Sequence, residues 1–202
     1  MNKNKRLLGY LILLAILIIC ICVSISACGE KILKDNNESD KQIGTLSTLE
    51  ALDFSVSDTK NSISLDSPYK EFKIDKPEEK IDNNYVGETY SGEFVYKIYM
   101  HKYADFDLIV SNANYNLKNR NFDEYYITQI TLKNSTFKTY RGITIGSKVE
   151  DINKAYGQGE KSTADGKTVL NYTLNDMEMS FTIDENQKVQ DVVLRIIVKD
   201  IQ

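Results

Sequence analysis

The chain has 202 residues, with 25 lysines and arginines against 29 aspartates and glutamates for a formal charge of −4, and 42% of its residues are hydrophobic. That acidic balance, with basic residues scattered along the chain, excludes the basic stripe that a nucleic-acid-binding surface needs. His101 is the one histidine and all three cysteines lie within the first 28 residues, so beyond them metal sites built from His and Cys are excluded by count; no Gly-x-Ser-x-Gly elbow accompanies the histidine, and no cofactor, metal site or catalytic residue is expected.

The first element is a leader spanning residues 1–27. Lys3, Lys5 and Arg6 precede an uncharged apolar run from Leu7 to Ile25, and the small residue Ala27 stands directly before Cys28. Charges, hydrophobic segment and small-residue cleavage point, in that order, make an export signal. Cys20 and Cys22 follow isoleucines, too bulky for a signal-peptidase subsite, so Cys28 is the cysteine singled out. Ile25-Ser26-Ala27-Cys28 resembles the lipobox of bacterial lipoproteins. The resemblance implies cleavage before Cys28, a lipid (a thioether-linked diacylglycerol and palmitate-type acylation) on that residue, and a cell-membrane protein facing outside the cytoplasm. One acyl chain binds a bilayer only marginally, so stable attachment takes several. The rival readings are an uncleaved membrane span, since Leu7–Ala27 approaches the roughly 20 residues that cross a bilayer, and a plainly secreted product.

Cleavage before Cys28 leaves 22 basic and 29 acidic residues, a net charge near −7, and no second cysteine. Disulfides and thiol nucleophiles are then excluded, and the core folds by burial alone. Residues 28–45 are rich in charge and poor in apolar side chains, the composition of a flexible tether. Leu46, Leu49 and Leu52 then recur at helical spacing and predict a short helix.

Two stretches, 46–138 and 139–202, read as the same unit twice. Ile143–Ser147 alternates as a short strand, Ser147 and Glu150 form a capping box, Val149, Ile152 and Tyr156 make an apolar stripe, and Gly157 stops the helix. Earlier, Ile63–Ser67 alternates likewise, Pro68 takes the first helical position, Tyr69 and Phe72 repeat the stripe, and Pro77 ends it. Period-two strands follow each: Phe94 to Met100 matched by Leu170 to Leu174, Phe106 to Val110 by Met179 to Ile183, and Ile127 to Leu132 by Val189 to Leu194. Turns are expected at His101-Lys102, at Asn175-Asp176 and at Asp165-Gly166, the last opening a hairpin. The fold class expected is α+β: two tandem units, each a strand and helix followed by an antiparallel meander of three to four strands.

The segment from Arg141 to Ile152, closing with Tyr156-Gly157, looks like a recurring element of uncharacterised Gram-positive-type lipoproteins. More distantly, the strand–helix–meander pattern is similar to the β-lactamase-inhibitor-protein fold and to SmpA/OmlA-type assembly lipoproteins. That resemblance implies helix-on-sheet domains that bind other proteins, and it carries over no functional residue.

If Phe94, Tyr96, Ile98 and Met100 face the helix, then Val95 and Tyr99 face outward, joined by Ile109 on the next strand. Tyrosine and aliphatic side chains on an open sheet suit a partner surface. Val95, Tyr99, Ile109 and the 111–124 loop are therefore the candidate recognition face, against packing of that face on the other unit. His101 reads as a solvated turn residue, and Asp105 and Asp107 as a solvated strand face. The expected function is a lipid-anchored extracytoplasmic binding protein with a protein partner and no catalysis. The alternatives are a ligand-capturing lipoprotein serving a transporter or sensor, and a surface enzyme using a carboxylate pair.

Overall fold

The alternating stretches do become strands, and their pairing gathers eight of them into one sheet. The computed structural model describes residues 48–91, 94–113, 121 and 123–197; the leader, Cys28, the tether, Leu46 and most of the 111–124 loop lie outside them. The described residues fall within one unit, Ile43–Gln202.

Four strands form a first meander: β3 (Tyr85–Ser91), β4 (Phe94–Lys102), β5 (Phe106–Ser111) and β6 (Tyr126–Leu132). Four more follow the only α-helix among the described residues: β8 (Glu160–Ala164), β9 (Lys167–Leu174), β10 (Met177–Ile183) and β11 (Val189–Ile196). The last strands of the two meanders pair antiparallel, Ile130 opposite Leu194 and Leu132 opposite Val192. The result is one antiparallel sheet of order β3-β4-β5-β6-β11-β10-β9-β8. A small sheet of order β2-β1-β7 is built from β1 (Ser55–Ser57), β2 (Ser62–Ser64) and β7 (Lys138–Thr139). Phe106, Leu108, Ile130, Leu194, Met179 and Phe181 are fully buried and join Val56, Ile63, Phe137 and the helix residue Ile152 in one core. Each such side chain contributes about 1.5–3 kcal/mol on leaving water.

This is a mostly β fold, and it corrects the expected α+β arrangement of two strand–helix units. Only the later unit has its helix, α1 (Val149–Tyr156). In the earlier one the apolar stripe collapses to a single 3-10 turn, Tyr69–Glu71, and Phe72 is already extended at φ −64°, ψ 120°. One helical turn cannot meet the cost of nucleation, and Pro77 bars helical backbone at Lys76. Phe72 and Ile74 instead alternate toward the core. The Ser67 hydroxyl, directly before the Pro68 expected to begin that helix, donates to the Ser64 carbonyl at 2.5 Å.

The strand predicted over 143–147 is also absent. Gly142 and Gly146 both hold φ +87°, which turns the chain on either side of Ile143 and Ile145. The Ser147 hydroxyl accepts the Thr144 N–H at 3.0 Å and so serves the preceding turn. At the start of α1 it is Asp151 that accepts the Lys148 N–H, at 3.3 Å, in the place expected of Glu150. The helix predicted around Leu49 and Leu52 is a 3-10 turn, Ala51–Phe54. The Asp165-Gly166 turn does form between β8 and β9, with φ of 49° and 75°. Asn175 turns β9 into β10 at φ 57°.

Two cations lock the periphery to this frame. Lys76 Nζ lies 2.7 Å from Asp105 and 3.4 Å from Asp58, over the Phe137 ring at 5.3 Å. Arg141 does the same for the segment before β1 by gripping Asp53. Among the described residues no helix is long and apolar enough to cross a membrane.

Candidate functional site

The register of β4 decides which side chains reach the site. Tyr99 lies opposite Val110 and His101 opposite Leu108, and directly opposed residues share a face of the sheet. Tyr99 and His101 therefore point to the side of the core. On the other edge of β4, Tyr85 lies opposite Tyr99. Two irregular segments close around this face. The Tyr69 N–H donates to the Tyr125 carbonyl at 2.8 Å, which lays the first segment along the entry to β6. The second runs beside β4, with Glu79 N–H on the Lys102 carbonyl and the Met100 N–H on the Asn84 carbonyl, each at 2.8 Å. Between them opens a groove of about 370 Å³ whose lining includes Tyr69, Tyr99, His101, Tyr125, Asp123 and Glu124.

Aromatic contacts shape its walls. Tyr99 and Tyr125 meet edge to face, centroids 5.5 Å apart and planes at 73°, and Tyr85 meets Tyr99 at 5.5 Å and 61°. Tyr69 lies over His101 at 4.5 Å. His101 Nδ1 is 2.8 Å from Glu78 Oε1 and 2.9 Å from the Tyr69 hydroxyl oxygen. A carboxylate only accepts, so Nδ1 carries the hydrogen and donates to Glu78, with the Tyr69 oxygen sharing it. Burial, then the neighbouring Tyr103 and Glu78, push the Tyr69 hydroxyl far above the ordinary tyrosine range. Burial and then Tyr99 raise Tyr125. The phenols are therefore held neutral. At the rim Lys70 Nζ bonds Glu124 Oε1 at 2.7 Å, which raises the lysine and lowers the carboxylate.

The three residues expected on one recognition face are divided. Tyr99 lines the groove, and Val95 shares its face, opposite Tyr90, farther along the hairpin. Ile109 lies opposite Met100 and Gln129, on the other face, where it lines a 130 Å³ recess with Ile98 and Ile196. The more apolar series of β4, Tyr96, Ile98 and Met100, thus points away from the main core. Tyr96 is nevertheless fully buried, and it is this burial on both faces that defeats assignment by apolar count. Most of the 111–124 loop lies outside the described residues.

His101 is a further correction. The β4–β5 turn sits two residues later than predicted, with the Tyr103 N–H on the Phe106 carbonyl at 2.9 Å. His101 is accordingly a strand residue, 8% exposed. The signal was available in parity: Tyr99, His101 and Tyr103 form one series that ends on the core residue Phe106. Asp105, expected on a solvated face, is bound by Lys76 and by Asn134 Nδ2 at 3.0 Å. Asp66 is pushed up by burial and by Asp176, away from the groove. Among the described residues no three or more His, Cys, Asp or Glu side chains are grouped to hold a metal ion.

No family model matches the chain, and no curated protein matches it. Among solved structures, a cysteine-rich secretory protein from Staphylococcus aureus subsp. aureus Mu50 overlaps at TM-score 0.32 and 16% identity, over 56% of this chain and 40% of that one. A DUF4309 family protein from Bacillus subtilis subsp. subtilis str. 168 overlaps at TM-score 0.28 and 15% identity, over 58% of this chain and 68% of that one. The chain spans less than half the length of the first. Both overlaps are too partial for fold or function to be carried across.

Proposed function

We propose that the chain is a lipid-anchored, extracytoplasmic binding protein without catalysis of its own, attached through Cys28. Its recognition surface is the aromatic strip of the β3–β4 hairpin together with the groove at its base. The observation that carries this is exposure of large side chains in one place: Tyr85 at 40%, Val86 at 39%, Tyr90 at 63% and Val95 at 37%. Tyrosines with an apolar body and a polar tip are enriched where proteins bind partners. Glu88 accepts hydrogen bonds from both the Tyr85 and Tyr90 hydroxyls, which fixes the two rings on the strand.

The experiment places a photo-crosslinking amino acid at Val95 and, separately, at Tyr140, which is more exposed but remote in sequence from the hairpin. In the native membrane, position 95 should yield a discrete product that position 140 does not. The same pattern from both positions would overturn the assignment.

Ligand capture on behalf of a transporter or sensor is the second reading, favoured by the concavity of the groove and its tyrosine lining. An enzyme using a carboxylate pair has less support. It requires converging acids with raised pKa values, whereas Lys70 holds Glu124 low and Glu78 is engaged by His101.

A further inference from the structure

We infer that the groove takes a small organic cation, an ammonium or quaternary ammonium group seated among the Tyr69, Tyr99 and Tyr125 rings with the Asp123 carboxylate beside it. This rests on the proposed binding role and names the ligand class for that site.

Ring geometry is the first support. Tyr99 and Tyr125, at 73° with centroids 5.5 Å apart, form a corner. Tyr69, fixed over His101 at 4.5 Å, supplies a further ring in the lining. Aromatic faces carry the negative end of the ring quadrupole, so the corner of Tyr99 and Tyr125, with Tyr69 also in the lining, favours a cation over a neutral or anionic group. The raised Tyr69 and Tyr125 hydroxyls keep these rings as neutral phenols.

Charge is the second, independent support. The lining includes Lys70, Asp123 and Glu124. Lys70 and Glu124 neutralise one another at 2.7 Å. The Asp123 carboxylate, among the described residues, has no hydrogen bond or ion pair, which leaves the described part of the lining negative. An anion would meet Asp123 with the lysine already engaged. A neutral saccharide would find Asn84 as the only amide side chain among the described residues of the lining. The 370 Å³ volume lies within the range of about 300–1,000 Å³ usual for small-molecule sites.

The test titrates the full chain, held in nonionic detergent, with choline and with its neutral carbon isostere, by calorimetry. Choline should bind saturably, and the isostere at least about tenfold more weakly. Asp123→Asn should weaken choline roughly three- to tenfold, less so at high salt. Tyr99→Phe should retain binding and Tyr99→Leu should lose it, with circular dichroism and melting showing both variants folded. Equal affinity for the isostere, or no saturation by choline in the folded wild-type chain, overturns the cation site. Such a failure, with the position-95 crosslink intact, would leave the binding role standing; loss of the crosslink with choline binding retained would sink the hairpin surface instead.

Discussion

Arg141 and Asp53 are joined, across 88 residues of chain, by two parallel hydrogen bonds: Nε to Oδ1 at 2.6 Å and Nη2 to Oδ2 at 2.5 Å. The Asp53 side chain is 1% exposed and that of Arg141 15%. The guanidinium also donates to the carbonyls of Ala155 at 2.9 Å and Thr48 at 3.1 Å, and lies 5.0 Å from the Tyr156 ring centroid. One side chain thus joins the residues before β1 to the end of α1. Arg141→Ala leaves a buried carboxylate without its cation and should cost about 3–5 kcal/mol in urea unfolding. Arg141→Lys keeps the charge but loses the fork, and should cost roughly 1.5–3 kcal/mol. Equal stability of wild type and Arg141→Ala would show that the pair is not part of the folding core.

Gly159 is held in place by Tyr172. A Cβ added there would stand 2.7 Å from the Tyr172 Cζ and 2.8 Å from its Cε2. Tyr172 has no room to yield, because its ring is buried against Tyr156 and Phe181 and its hydroxyl donates to the Gly157 carbonyl at 2.8 Å. Gly159→Ala should therefore destabilise by about 1–3 kcal/mol. Tyr172→Phe in the same chain leaves the ring clash in place and should not restore stability; recovery would trace the cost to the hydroxyl instead.

Alkaline unfolding should be governed by buried tyrosines. Burial pushes Tyr172 from 10.0 up to about 12, and Tyr69, Tyr103, Tyr125 and Tyr156 are raised as well, burial first in each case. A folded value above the unfolded one means that the unfolded chain releases its protons first. Stability is intact below pH 10 and declines as pH rises toward 12, with Tyr172 alone accounting for about 2–3 kcal/mol. The part of the phenolate absorbance that belongs to the buried tyrosines should appear together with the circular-dichroism change above pH 10, whereas exposed rings such as Tyr85 and Tyr90 ionise without unfolding. Full phenolate formation with the fold intact would contradict the assigned burial.

The anchor is tested at the sulfur. Cys28→Ser should abolish incorporation of labelled palmitate and leave the unprocessed chain with its leader. Unaltered labelling, mass and membrane partitioning would remove the basis for placing this molecule outside the cytoplasm. An uncleaved span would keep the mass and the membrane fraction while never having carried the label.

Local chemistry by itself determined much of the chain. Alternation over Phe106–Val110 or Met179–Ile183 specifies a strand wherever its partner lies, because the period-two side chains must segregate. Asp165-Gly166 and Asn175 select their turns through a backbone angle that few residues adopt. The stripe from Val149 to Tyr156 suffices for a helix because it runs two turns before Gly157. What pairing alone decided is different in kind. That β6 meets β11 and fuses two meanders, that Tyr99 shares a face with Val110 while Ile109 takes the other, and that His101 reaches Glu78 and Tyr69 all depend on register between distant strands. Register is set by the total burial of the assembled sheet, and a shift of one residue exchanges its faces while leaving each strand's own pattern unchanged.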